Sequence, residues 1–548
     1  MSLNPSISVL LAGAVLAACS QGAPRQKAAS FAAGRGGVSG LPDAASGRSG
    51  GGAGSGAEPA AGHGGAETSS SAGSTALSSG GRGAGSAGTE AGSGGAPGGG
   101  VGSGNGGAAS SARAGNSMLE SGAGRAGSTA IGTCTVEVTS ASVSSAIPTV
   151  GIVEWRTELT QVDSAVIDFG LDTNYGQEAP VDLKAPNFHT LILGMKASRT
   201  YHYRVVVKSA GASCTSADAT LQTGDPPATL SGVFKVDTPL PAEQAGGFLI
   251  SSFFSSQGGP AFILDKDRDL VWWYTTKSDD VFRARMSWDA KSMWLRNTAN
   301  QDTGEVFRVS MDGLKEDAWN LPQSTHDLAV IPDGHVALIS RVTGGCDEIL
   351  ELDPDTGTTT VVANLEKALG TKTCHVNAVA YYGPDDAFIV SDYLASSYIK
   401  LSRTGDVIWV LNGAHSNFTG DTWKQQHNLE MLNQDRILFF SNGPNNSPAK
   451  LLEFQLDETA WTAKQVWQYA GGPAVLAGGD VQRLPNGNTL GNYAIAGEMR
   501  EVDSAGNLVQ RISATGKSFG YSVACASLYD HPPRVDDVVG TGGANGAQ

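Results

Sequence analysis

Three histidines, His326, His375 and His427, each stand just ahead of an apolar strand pattern that closes in a turn. The turns are Pro332-Asp333-Gly334, Pro384-Asp385-Asp386 and Asn433-Gln434-Asp435. His326 and His427 lie six residues before theirs and His375 nine, as if the bend at Ala380-Tyr381-Tyr382-Gly383 carried three extra residues. Copies of one repeat occupy equivalent places in a fold, so this register predicts that the three imidazoles converge. A neutral imidazole near pH 7 is a nucleophile and a proton acceptor. Three of them around an open position also suit zinc or iron. A single histidine before a strand is usually structural, and the shared register is what points to chemistry. His335, His415 and His531 fall in or near turns without that register and are expected to be exposed.

The elements that must position these side chains are themselves repeated. An acidic turn followed by an aromatic or apolar run occurs at residues 265–273, 312–319, 353–357, 403–409, 457–467 and 503–508. The interval of about 40–55 residues is that of a four-stranded propeller blade. A second turn, with Pro485-Asn486-Gly487 as its fourth member and Asp289-Ala290-Lys291 as its first-blade counterpart, precedes an apolar strand in each unit. Six units predict an all-β chain whose residues 227–530 form a six-bladed β-propeller, a count that shifts by one if the two chain ends combine in one closing blade. The positions matching the histidines in the remaining units are Gly479, with Asp480 beside it, and Arg283. Strand starts nearest the axis face the central channel, so the whole set should line one funnel.

Residues 131–226 read differently. Short β-rich runs separated by turn residues predict an antiparallel sandwich. The run from Leu191 through Tyr201-His202-Tyr203-Arg204-Val205, with Trp155 as core aromatic, resembles the end of a fibronectin type III domain. His189 and His202 belong to this segment, and His202 alternates with inward-facing Tyr201 and Tyr203. The segment reads as a spacer or binding module.

The remainder is compositionally simple. Residues 20–130 are Gly, Ala and Ser with almost no large apolar side chain, too little to offset the entropy of ordering, and read as a disordered tether. Residues 531–548 read as a disordered tail. The apolar run at 7–18 is too short to span a bilayer and fits a signal segment over 1–19. Leu16-Ala17-Ala18-Cys19 resembles a bacterial lipobox, which implies lipidation at Cys19, export, and anchoring to the cell envelope at the outer membrane. Export makes disulfides the natural reading of Cys134 with Cys214 and of Cys346 with Cys374, leaving Cys525 over. No CxxC pair supports a thiolate metal site. The net charge of -16 and the lack of a basic cluster argue against nucleic acid as partner.

Read together, Thr325-His326-Asp327, His375-Val376-Asn377, Gln426-His427-Asn428 with Phe440-Ser441-Asn442-Gly443, and Gly479-Asp480-Val481 through Leu490 resemble the bacterial arylsulfotransferases over residues 230–515. The resemblance implies a six-bladed propeller that moves a sulfuryl group from a phenolic sulfate ester to a phenol through a sulfohistidine. It implies no nucleotide sulfate donor and no cofactor. By motif position His427 is the nucleophile, and His326 and His375 orient the donor, neutralise sulfuryl oxygens or protonate the departing phenoxide. Asn377, Tyr393 and Asn442 are candidate substrate-binding residues, Asn442 being either a polar lining group or simply a turn residue. The family places an arginine where this chain has Tyr393, next to an acidic Asp392 that would repel a sulfate. Arg341, at the equivalent loop position of the preceding blade, either replaces it, since a guanidinium can ligate a sulfate bidentately, or is a surface residue of a degenerate enzyme.

Two other readings use the same residues. One is a tri-histidine metal site, and the other a surface-anchored propeller that binds without catalysis.

Overall fold

The computed structural model describes residues 135–254, 259–277, 281–297, 304–321, 323–372, 374–443 and 447–530. The predicted signal segment with Cys19, the tether, Cys134, His531 and the predicted tail lie outside the described residues.

The described chain is nearly all β. Its first part is a two-sheet sandwich, in which Val136–Val143, Gly151–Thr157 and Thr190–Ile192 form one antiparallel sheet. Gln177–Pro180, Ser164–Gly170, Thr200–Ser209, Ala212–Thr215 and Ala219–Gln222 form the other. The alternating burial of Thr200–Ser209 shows why: Tyr201, Tyr203, Val205 and Val207 point inward against Trp155, Ile167 and Phe169. The Tyr201 hydroxyl accepts the Lys196 backbone N–H at 2.9 Å, closing a tyrosine corner. His202 points outward and pairs with Asp218.

Six antiparallel sheets follow and close into a ring. Blade one comprises Val281–Met286, Ser292–Asn297, Glu305–Ser310 and Glu316–Asn320. Blade two runs Ser324–Val330, Val336–Ser340, Glu348–Asp353 and Thr358–Asn364, and blade three Val376–Tyr382, Ala387–Asp392, Ser397–Ser402 and Val407–Leu411. Blade four begins with Gln426–Asn433 and blade five with Asp480–Arg483. In the sixth, Leu270–Tyr274, Ala261–Leu264 and Phe248–Phe254 are completed on the inside by Ser518–Phe519 and Val523–Cys525, so both ends of the propeller share one blade.

Strand composition follows position in the blade. The second strand of blade two, Val336–Ser340, is buried along its whole length because neighbouring blades cover both faces, and it reads as a continuous apolar run. The outermost strand Thr462–Tyr469 has one face in water and alternates. Between blades two and three Ile339, Ile349, Phe388 and Val390 pack together, and between three and four Ile389, Trp409, Trp423 and Phe439.

The sandwich seats on the propeller. Ile147, Val150 and Leu193 share a core with Trp272 and Met311, and Lys196 Nζ inserts into the acidic turn, 2.7 Å from Asp267 and Asp269 and 3.2 Å from Asp265. The Cys346–Cys374 disulfide forms, with its Cα atoms 5.0 Å apart. Cys214 and Cys525 are buried.

Candidate functional site

The histidines are delivered by breaks in the inner strands. In blade two, Thr325 pairs Ile339 and Leu328 pairs Leu338, so His326 and Asp327 stand unpaired in a bulge. Blade four repeats this with His427 and Asn428, between the Gln426–Ser441 and Leu429–Phe439 pairs. In blade three the bulge holds only Asn377, and His375 sits just before the strand. A bulge re-aims side chains that regular pleating would send between the sheets. His326 is in the left-handed region at φ 54°, which costs about 1–2 kcal/mol and is held by the surrounding packing.

The structure brings the three imidazoles together around Tyr393. The ring centroids of His326 and His375 are 4.9 Å apart, His375 and Tyr393 5.8 Å, and Tyr393 and His427 5.4 Å. All three histidines are buried. Burial removes the hydration that an imidazolium needs, so His427 is pushed down to about 4 and His375 to about 3, the latter helped by Arg341 and His427. His326 is held well below its ordinary value by burial, then by His375, Arg341, His427 and Arg296. All three are therefore neutral at pH 7.

Hydrogen bonds orient the set. His427 Nδ1 bonds Asn442 Oδ1, and Gly478 N–H donates to His427 Nε2 at 3.0 Å. The Gly478-Gly479 loop has φ values of 72° and 138°, and a Cβ on Gly479 would lie 2.2 Å from the Phe440 ring. Blade five thus has no room for a fourth histidine at this register. His326 Nδ1 bonds Thr325 Oγ1 at 2.6 Å. The His375 backbone N–H donates to Asp392 Oδ1 at 3.0 Å, and its carbonyl accepts Tyr393 N–H at 2.9 Å. Asn377, expected as a substrate-binding residue, turns its Nδ2 to the Gln426 carbonyl at 2.8 Å and so fixes the residue before His427.

Asp392 is not the repulsive surface carboxylate that its sequence position suggests. It is fully buried, and its Oδ1 accepts the backbone N–H groups of His375, Leu394 and Ala395, which shapes the Tyr393 loop. Similarly His335 is half-buried against Glu351 at 2.7 Å rather than exposed, while His415 is exposed.

Two arginines serve the funnel. Arg341 lies close enough to His326 and His375 to lower both; its Nε is 3.5 Å from Asp347 Oδ1, and its Nη2 has no hydrogen-bond partner. Arg296, at the end of the second strand of blade one, escaped sequence reasoning. It is 1 % exposed, donates from Nη2 to the Ser324 carbonyl, and leaves Nε and Nη1 without partners. Burial pushes it down to about 9, still a cation at neutral pH. Nine residues after Asp289, where the turn register puts the counterpart of Arg341, stands Thr298, two residues beyond Arg296. A two-residue tolerance in that register would have found Arg296. His375 Nε2 is likewise buried without a partner.

Along the axis beneath the histidines, Arg283 closes the channel. Its Nε and Nη2 meet Asp327 at 2.5 and 3.2 Å and its Nη1 meets Asp480 at 3.0 Å. The residues following His326 and Gly479 are therefore plug residues. Metal ligation fits poorly, because both ring nitrogens of His427 are engaged by protein groups. Among the described residues the donor groups lying within 4.8 Å of one another are Asp333, His335 and Glu351, and Asp265, Asp267 and Asp269, rather than the three imidazoles.

Against known proteins, residues 346–515 match the arylsulfotransferase (ASST) family. A curated relative, the arylsulfate sulfotransferase AssT of Escherichia coli O6:H1, is 23% identical over 209 residues, covering 30% of this chain and 34% of the relative. The chain thus spans about a third of that relative's length. Among solved structures, TolB from Acinetobacter baumannii aligns with a TM-score of 0.37 at 10% identity, covering 60% of this chain and 81% of that one. A streptogramin B lyase aligns with a TM-score of 0.34 at 12% identity, covering 50% and 86%. The segment holding His375, Tyr393 and His427 is thus the part of the chain that is similar to arylsulfotransferases.

Proposed function

We propose that this protein transfers a sulfuryl group from an aryl sulfate ester to a phenol, with His427 as the covalent carrier. The observation that carries the reading is the set of unsatisfied donors in a funnel of neutral, buried imidazoles, with Arg341 and Arg296 beside His326 and Arg341 beside His375. Arg296 Nε and Nη1 and Arg341 Nη2 are ready-made partners for sulfuryl oxygens. Fixed charge of this kind is worth most where water is excluded and charge develops.

In the first step the Nε2 lone pair of His427 attacks sulfur, the sulfur to aryl-oxygen bond breaks, and the aryl group leaves as phenoxide. Gly478 N–H, displaced from Nε2, turns onto a sulfuryl oxygen. In the second step an acceptor phenol attacks the sulfohistidine sulfur, the nitrogen to sulfur bond breaks, and neutral His375 Nε2 takes the phenol proton and passes it to solvent, where the released phenoxide is reprotonated. Tyr393, between His375 and His427, flanks the aryl ring. The assay is 4-nitrophenyl sulfate with a phenol acceptor: release of 4-nitrophenoxide that His427→Ala abolishes supports the proposal, and release unchanged in that variant overturns it.

One observation favours a second carrier. His427 Nε2 already accepts a hydrogen bond, whereas His375 Nε2 has none. Peptide mapping of protein treated with donor alone separates the two, since the sulfo group resides on one histidine or the other. Export and anchoring through Cys19 belong to the same proposal and rest on the Leu16–Cys19 motif.

A further inference from the structure

The channel has a second mouth. Inner strands start at the histidines and advance about 3.3 Å per residue, so Val330, Tyr382 and Met431 emerge on the opposite face, below the plug of Arg283, Asp327 and Asp480. A cavity of about 860 Å³, counting its open mouth, lies there and takes lining from all six blades. Its walls are apolar and aromatic, with Trp288 and Tyr381 edge to face at 6.4 Å. Five polar or charged side chains besides its aromatic hydroxyls line it, Arg285, Glu430, Asp480, Gln482 and Ser522, and of these Asp480 is already taken by Arg283 and backbone N–H groups.

The plug leaves Arg285 unmatched. Asp327 and Asp480 are satisfied by Arg283 and by the backbone N–H groups of Leu328, Val379, Val481 and Ser522. Arg285 Nε is buried with no hydrogen-bond partner, and no ion pair to Arg285 forms among the described residues. Glu430 uses Oε2 to accept the Arg483 N–H, and burial pushes it up to about 8, so at neutral pH it is a hydrogen-bond donor rather than a counter-ion. A cationic group with no partner, a carboxylic acid facing the same space and aromatic walls suit one kind of guest.

We propose that this mouth is a separate binding site for a small aromatic monocarboxylate, its carboxylate held between Arg285 and Glu430 and its ring against Trp288 and Tyr381. The site is independent of the histidine funnel, since the plug lies between them.

Calorimetric titration of the intact protein with benzoate, and with benzylamine as a probe of the same size and opposite charge, tests it. Benzoate should bind and benzylamine should not. Arg285→Gln should weaken benzoate at least tenfold, and so should Ala380→Phe, which fills the cavity without touching a charge. Arg341→Gln, in the other funnel, should leave benzoate binding unchanged. Absence of benzoate binding at millimolar concentration, preference for benzylamine, or loss of binding in Arg341→Gln but not in Arg285→Gln overturns the proposal.

Discussion

Asn442 holds His427 in one tautomer. The Asn442 Nδ2 donates to the carbonyls of Val475 at 3.0 Å and Gly478 at 2.9 Å, so its Oδ1 must face His427 and accept a hydrogen bond from Nδ1–H. The lone pair is thereby confined to Nε2, the nitrogen beside Gly478.

Asn442→Leu should therefore lower kcat while leaving KM for 4-nitrophenyl sulfate little changed. One lost hydrogen bond of about 1–3 kcal/mol corresponds to a decrease of roughly 5- to 150-fold. Steady-state kinetics check this, and an unaltered kcat would show that tautomer control is not limiting.

Arg296 sets function against stability. Its charge is buried with two guanidinium nitrogens unsatisfied, an arrangement that packing alone would not favour. Arg296→Met should reduce kcat/KM for an aryl sulfate by about 10²–10³-fold and at the same time raise Tm. A variant that loses activity and stability together would mean that Arg296 is structural.

Acid should destabilise the protein through the histidines. In the unfolded chain each takes a proton near pH 6.5, whereas native His427 and His375 resist until about 4 and about 3. The unfolded state binds more protons in that window, so their contribution is full above pH 6.5 and is lost as pH falls towards 4 and 3. Asp347, pushed up to about 6 by burial, works in the opposite direction below that value. The informative quantity is thus the difference between wild type and His427→Gln in denaturant midpoint at pH 7.5 and pH 4.5, which should shrink on acidification. Equal differences at both pH values would contradict the depressed value. For the same reason the acid limb of kcat/KM should fall near 4 rather than near 6.5.

The disulfide is expected to matter to the site as well as to the fold. Cys374 immediately precedes His375 and accepts the Asp347 N–H through Sγ at 2.8 Å, while Asp347 Oδ2 accepts the Val376 N–H at 2.8 Å. Replacing both Cys346 and Cys374 by Ser opens a loop of 28 residues and should cost about 2–4 kcal/mol. Chemical denaturation and turnover, measured with and without reductant on wild type, should move together.

The propeller and the convergence of His326, His375 and His427 were legible in the sequence because both depend on repetition. Turns recur at blade spacing, apolar runs mark strands buried on two faces, and equivalent positions of a closed ring meet at its axis. The sandwich was legible from two-residue alternation in the same way, although its assignment to the fibronectin type III group rests on resemblance. Protonation states were not legible. Whether an imidazole is charged depends on how much water its neighbours exclude, and only the assembled funnel showed that His326 and His375 are neutral. Nor did the chain order reveal that Asp392 is turned to backbone N–H groups, that Asn377 braces Gln426, or that Arg283 plugs the channel. Each of those contacts joins residues brought together by ring closure or by a bulge, and Arg296 stands two residues off the position that the turn register marks. The linear pattern determined which side chains face the axis; the three-dimensional packing decided which are desolvated, which are paired and which are left open to a substrate.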